Sequence, residues 1–284
     1  MLMNVWNDVV VENGASNTER LANFFLACRS GANPPLWNMV KTVFNEIEKT
    51  TGSIQLAPLK TACVEAEKHS NNPYHNEHHN REVTLVTSLL LLKHITDGNE
   101  DGFTARDARN LIMAAAVHDL GHDGGGNIVN GVHNPLRLEL QALNLAANLW
   151  KDQDVTKEDL RFIQACIEPT DISSSEKIVS PRSSLVETFN GASSKPSVYN
   201  NKMWRTAAAM LSDADLAISA ALSPDLFAVN SMMVEEETKG AVPATKASAK
   251  YFLDRVVSPF PLSSEGRVLL KTGYNKVRAS VFGV

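Results

Sequence analysis

Cysteine is scarce in this chain: Cys28, Cys63 and Cys166 are the three among 284 residues, far apart and without a CxxC pair. A disulfide framework is excluded on that count, and a reduced, cytoplasmic protein is the expectation. A dominant charge is lacking too. Lys and Arg total 27 against 32 Asp and Glu, a formal net charge of −5, so no basic excess marks nucleic acid or an anionic membrane as a standing partner. A phosphate-bearing substrate stays open, because a bound metal supplies positive charge locally without altering that balance. The longest apolar runs, such as residues 89–92 and 111–117, fall far short of a bilayer's thickness, so no membrane partner is expected. Residues 1–14 have no basic start followed by an apolar stretch of the kind a signal peptide carries.

Strand-like alternation of apolar and polar residues is also rare, and helical periodicity dominates. It predicts helices over about residues 17–28, 35–49, 59–68, 76–95, 104–118, 136–150, 157–167, 202–222, 224–239, 245–257 and 264–280. Thr104, Thr156 (three residues before Asp159) and Ser223 followed by Pro224 read as helix starts. The chain therefore reads as all-α, its length suiting one large domain or two small ones. Residues 121–126 are glycine-rich, 257–264 carry Pro259 and Pro261, and 172–200 are rich in Ser, Pro and Asn. A stretch as long as 172–200 inside a compact domain is expected to be a functional lid or a mobile loop.

Seven of the eight histidines fall between His75 and His133. In Tyr74-His75-Asn76-Glu77-His78-His79, His75 and His79 are four apart and project from one helix face; a polar helix start with solvated imidazoles accounts for this cluster equally well. A second cluster closes the apolar run 111–117 with His118-Asp119, followed by His122, Asp123, three glycines and Asn127. Ending a buried apolar helix in adjacent His and Asp costs desolvation energy unless both are paired or bind a cation. Imidazole with carboxylate suits Zn, Fe, Mn or Mg, and glycines let the backbone approach a phosphate or metal; a helix-capping His-Asp pair with no metal is the other reading. The third element, Asp213-Ala214-Asp215-Leu216, ends another apolar run and reads either as a helix cap or as a carboxylate closing a metal site.

Tyr74-His75-Asn76 with His79, His118-Asp119 with His122, Gly124 and Asn127, and Ala214-Asp215-Leu216 together resemble the class I 3′,5′-cyclic-nucleotide phosphodiesterases of the HD superfamily. The resemblance runs from about residue 74 to 254. It implies an all-α, HD-domain (PDEase-like) multi-helix bundle over residues 72–284; residues 1–71 carry no part of it and are expected to be N-terminal helices packed on this catalytic region. It implies two divalent ions: one, expected to be Zn, on His79, His118, Asp119 and Asp215, and a second, Mg or Mn, bridged by Asp119. A hydroxide between the metals would attack phosphorus, and His75 would be the acid that protonates the leaving alkoxide. His122 would face the phosphate and metal waters, and Glu139 would orient the bridging water. Thr170 and Asp171 would support the waters of the second ion, and Tyr74 and Phe252 would contact the substrate.

At the substrate end the pattern departs. Ala249 stands where the family carries a purine-binding glutamine, and Ile218 where an adenine-reading asparagine is common, while Phe252 matches the stacking phenylalanine. A site without those groups discriminates bases poorly. Phe252 reads equally well as a core aromatic, and Glu235–Glu237 reads as a solvated helix face. The rival readings are a phosphohydrolase of the same type acting on another nucleotide or phosphoester, and a di-iron oxygenase, for which His133 would be the spare ligand.

Overall fold

The computed structural model describes residues 2–11, 18–31, 33–129, 132–173, 180–191 and 198–283. Among them are fourteen α-helices: α1 (Leu2–Val11), α2 (Thr18–Arg29), α3 (Leu36–Thr51), α4 (Ala57–Ala66), α5 (Glu77–Asp97), α6 (Ala105–Val117), α7 (Arg137–Leu149), α8 (Lys157–Ile167), α9 (Pro181–Phe189), α10 (Lys202–Ala220), α11 (Pro224–Glu237), α12 (Lys246–Tyr251), α13 (Ser264–Leu269) and α14 (Lys271–Phe282). The expected all-α class holds. The strands among the described residues are a two-residue pair, β1 (Ile128–Val129) and β2 (Val132–His133), antiparallel with Ile128 opposite His133.

Local chemistry sets many of these starts. Thr104 accepts from the Asp107 N–H while the Asp107 side chain returns to the Thr104 backbone, and Thr156 and Asp159 repeat that reciprocal box on α8. Ser223 caps α11 with Pro224 at its first position. Helix α5 is buried nearly all round, from His79 to Ile95, and packs against α3, α6 and α10. A helix enclosed in this way carries no solvated polar face, and its buried Thr84 and Ser88 turn their hydroxyls onto the carbonyls of Asn80 and Thr84. Helix α10 runs beside it and also packs on α8 and α11. These central helices bring His79, His118 and Asp215 to one end of the core.

Several expectations need correction. Residues 172–200 are not a bare loop: Ser180 caps α9, accepting from the Ser183 N–H with Pro181 at the first helical position, and a 3₁₀ turn spans Val198–Asn200. Residues 174–179 and 192–197 of that stretch lie outside the described residues. The expected helix 245–257 is α12 followed by a π-helical turn, Phe252–Val256, and the expected helix 264–280 is two helices that break at Leu270. Helix α1 has no cap signal and was not expected; Trp6 anchors it, fully buried with its indole N–H donating to Met39 O at 2.9 Å. Asp213 takes the cap reading in tertiary form, accepting from the N–H groups of Leu262 and Ser263 and from the Ser263 hydroxyl at the start of α13. No single described helix is long and apolar enough to cross a membrane.

One ion pair ties the N-terminal helices to the rest. Arg29 on α2 makes two 2.6 Å bonds to the carboxylate of Glu82 on α5 and a 2.8 Å bond to Asn230 Oδ1 on α11. The Glu82 side chain is 1% exposed, so Arg29→Ala strands a buried charge. The expected cost is about 3–5 kcal/mol, read as a lower urea midpoint at unchanged slope; a loss under about 1 kcal/mol would show that water reaches Glu82.

Candidate metal centre and adjoining cavity

Asn76 organises the entry to α5. Its side-chain oxygen accepts from the N–H groups of His78 and His79 at 2.9 and 3.3 Å, and its amide nitrogen donates to Pro73 O at 2.8 Å. This cap turns His79, 2% exposed, inward from the first helical turn. At the end of α6, His118 Nδ1 lies 2.9 Å from Ala115 O. That bond requires the proton on Nδ1 and leaves Nε2 facing His79.

The donors converge. His79 Nε2 and His118 Nε2 are 3.4 Å apart; Asp119 Oδ2 lies 3.3 and 3.2 Å from them, and Asp215 Oδ1 3.2 and 3.7 Å. Bonds of about 2.0–2.2 Å place neighbouring donors of a tetrahedron roughly 3.3–3.6 Å apart; His79, His118 and Asp119 match that spacing and could hold a divalent cation, with Asp215 against both imidazoles beside them. With Nδ1 of His118 protonated, its Nε2 lone pair meets a carboxylate oxygen, an arrangement that needs a proton or a cation in between. Burial alone would push both imidazoles down, but Asp119 and Asp215 outweigh it, holding His79 up at about 9 and His118 well above its usual range.

His75 stands beside this cluster. Its Nδ1 is hydrogen-bonded to Glu237 Oε1, and the backbone N–H groups of Tyr74 and His75 donate to Glu237 Oε2 at 2.8 and 2.9 Å. Glu237 therefore does not belong to a solvated helix face, as its sequence setting suggests; the last turn of α11 delivers it to His75. Burial would raise its carboxyl, yet the His75 contact and the two N–H donors hold it at about 2. His122 stacks on His75 with ring centroids 3.9 Å apart and 21° between planes, and burial, then the neighbouring charge of His75, pushes it down to about 4. Gly121 and Gly124, at φ of 76° and 74°, make the turn that carries His122, and a side chain at Gly121 would meet Leu145 at 2.5 Å. The turn and the close helix account for these glycines.

On the opposite side, Asn127 donates to Glu139 Oε2 at 3.0 Å, and its oxygen accepts from the Leu138 N–H. Asp171 accepts from Leu136 N at 3.0 Å and from the backbone and hydroxyl of Ser173, while the Thr170 hydroxyl donates to Ile167 O. His133 Nε2 lies 2.8 Å from Ser173 Oγ, a loop contact, while its Nδ1 is buried without a hydrogen-bond partner. Burial, helped by Asp171 and Asp119, lifts Glu139 to about 7. A carboxyl raised in the fold stabilises it fully below the unfolded value near 4.5 and loses that contribution as pH rises through about 7. Metal-free protein should thus be less stable at pH 8 than at pH 5 through this group. Glu139→Gln should recover up to about 3 kcal/mol at pH 8, measured by urea unfolding; an identical pH dependence in both proteins would remove Glu139 as the cause.

One continuous cavity of ≈ 740 Å³ joins these groups, lined at one end by His75, Asp119, His122, Glu139, Asp171 and Asp215 and elsewhere by Phe227, Val242, Ala249 and Phe252. Tyr74 lines it and bonds through its hydroxyl to Ser219. Phe252 and Ala249 face the same space, as their spacing implies; Ile218 is 1% exposed and does not line it. Glu237 and Asn230 went unrecognised in the sequence because their partners are remote along the chain.

No family model matches the chain, and no curated protein matches it. Solved structures do. The phosphodiesterase domain of the RhoPDE fusion protein from the choanoflagellate Salpingoeca rosetta superposes with a TM-score of 0.62 at 18% identity, over 89% of this chain and 90% of that one. LmjPDEB1 in complex with IBMX gives 0.64 at 17% identity, over 98% and 96%. A second structure of the Salpingoeca rosetta rhodopsin phosphodiesterase domain gives 0.63 at 19%, over 89% and 87%. The chain has the all-helical fold of these phosphodiesterase domains.

Proposed function

We propose that this protein is a metal-dependent phosphodiesterase, with 3′,5′-cyclic nucleotides, hydrolysed to 5′-monophosphates, as the first substrate class to test. The observation that carries the reading is the convergence of His79, His118, Asp119 and Asp215 at 3.2–3.7 Å, at the end of a cavity that also holds a carboxylate-bound histidine. Those four residues would hold one divalent ion, with zinc the best match to the donor set, and Asp119 would share a second, Mg or Mn. When bound, the ions supply Lewis acidity and an activated water.

The chain's own residues do the rest. Asp119 and Asp215 bring negative charge that offsets the cations. His75, oriented by Glu237 through Nδ1, presents Nε2 as the proton donor to the departing alkoxide. Neutral His122 stacks on that ring and restricts its rotation. Glu139 and Asp171 occupy the facing wall, where they would order water, with Thr170 fixing the turn between α8 and Asp171. Tyr74 and Phe252 would bound the substrate.

The test is a screen of cyclic mononucleotides, cyclic dinucleotides and chromogenic phosphodiesters, with Zn, Mn and Mg each supplied. Hydrolysis of at least one diester, abolished by chelation and restored by metal, is expected. No diester cleaved under any metal would overturn the proposal. With Ala249 in place of a base-reading amide and Ile218 buried away from the cavity, cyclic AMP and cyclic GMP should turn over within about tenfold of each other; a preference of roughly a thousandfold would mean that other residues read the base.

A further inference from the structure

The cavity is chemically divided. Its titratable groups, His75, Asp119, His122, Glu139, Asp171 and Asp215, gather at the metal end, and no Lys or Arg stands among the described residues that line it. The far end is formed by Leu216, Phe227, Val234, residues 241–244, Ala247, Ala249, Phe252 and Val256. Four polar side chains interrupt that wall, Asn230, Ser231, Thr245 and Ser248, and each spends part of its hydrogen-bonding capacity inside the protein. Asn230 is fixed at both ends of its amide, accepting from Arg29 at 2.8 Å and donating to Ile218 O at 2.8 Å. The Ser231 hydroxyl donates to Phe227 O at 2.8 Å, and Thr245 and Ser248 bond to each other at 3.0 Å.

The apolar surface also continues outward. Val242 and Tyr251 line the cavity and are 48 and 66% exposed, so the carbon of this wall reaches the mouth, where Tyr251 adds a phenol hydroxyl. Contiguous apolar surface of this kind marks a binding site more often than bare exterior. A nucleobase placed here would exchange water at its polar edge for a few side-chain groups only, the second Asn230 N–H and the Ser231, Thr245 and Ser248 hydroxyls, whereas a hydrocarbon gives up no hydrogen bond and gains burial.

We infer that the organic group this site prefers is an uncharged apolar arm, an alkyl chain esterified to the phosphate, rather than a base read by its edge. The inference rests on the phosphodiester reading of the metal end. In the reaction, the oxygen of water bonds to phosphorus as the P–O bond to one alcohol breaks, and that alcohol leaves with the proton from His75. The products are a phosphomonoester and an alcohol, with no change of oxidation state. The preferred substrates are amphiphilic diesters with a single phosphate, since a second anionic group would meet no cation along the described walls.

The experiment uses the full-length protein loaded with zinc and magnesium. Affinity for n-alkyl phosphates from methyl to octyl is measured by calorimetry, and turnover of the matching methyl alkyl phosphates by phosphorus NMR, with cyclic AMP and cyclic GMP as comparators. Burial of each methylene should strengthen binding roughly two- to fourfold, so octyl phosphate should bind about a hundredfold tighter than methyl phosphate or more, up to about 10⁴-fold if all seven added methylenes are fully buried. Ala249→Asp, which sets a charge in the wall, should flatten most of that gain; should this variant not fold, the series on the native protein decides alone. A chain-length series flat within about threefold, or cyclic AMP bound tenfold tighter than octyl phosphate, would overturn the inference. A flat series with diesters still hydrolysed sinks the apolar arm and spares the phosphodiesterase reading. A steep binding series without hydrolysis of any diester does the reverse.

Discussion

Replacing Asp119 by Ala should abolish turnover, by about 10³-fold or more, and bring bound metal below one ion per chain. Asp119 Oδ2 lies 3.3 Å from His79 Nε2 and 3.2 Å from His118 Nε2, so it is the carboxylate shared most evenly by both imidazoles. Removing a residue that merely supports a metal ligand costs roughly 10- to 100-fold. A ligand that is also the proposed bridge should cost more, because both ions lose an anionic donor at once. The same variant should lose metal-dependent stabilisation, which amounts to about 4 kcal/mol when free metal exceeds its dissociation constant a thousandfold. The measurements are metal content by mass spectrometry after dialysis, the melting temperature with and without zinc, and turnover. Retention of a full equivalent of metal with activity within tenfold of the native level would refute the assignment of Asp119.

His75→Ala should cut turnover by roughly 10²–10⁴-fold while leaving metal content intact. The ring is not part of the four-donor cluster; its Nδ1 is taken by Glu237, whose other oxygen is fixed by two backbone N–H groups. That arrangement spends one nitrogen on orientation and leaves the other for proton transfer. The deficit should therefore shrink on substrates with a nitrophenolate leaving group, which departs without protonation. Glu237→Gln should produce a smaller loss, about 10- to 100-fold, with the same dependence on leaving group, since it weakens the orientation of the ring without removing it. Equal losses on good and poor leaving groups, or loss of metal in His75→Ala, would count against a proton-donor role.

What the sequence by itself determined is the part written in short-range chemistry. The 3.6-residue period of the apolar positions required helices, and the Thr104–Asp107, Thr156–Asp159 and Ser223–Pro224 pairs marked their starts because a cap and its N–H donors lie within four residues. Adjacent His118 and Asp119 at the end of a buried run pointed to a cation because desolvation cannot be left unanswered there. Only the tertiary structure decided which groups meet across the core. Glu237 reaches His75 over 162 residues and Arg29 reaches Asn230 over 201, pairings that no local spacing encodes. Asp213, two residues from Asp215, turns away from the cluster to hold Leu262 and Ser263, because successive helix positions point about 100° apart and residues two apart face different neighbours. The apolar end of the cavity is likewise a tertiary fact: Phe227, Ala249 and Phe252 are unremarkable core-type residues until α10, α11 and α12 leave a space between them that no side chain fills.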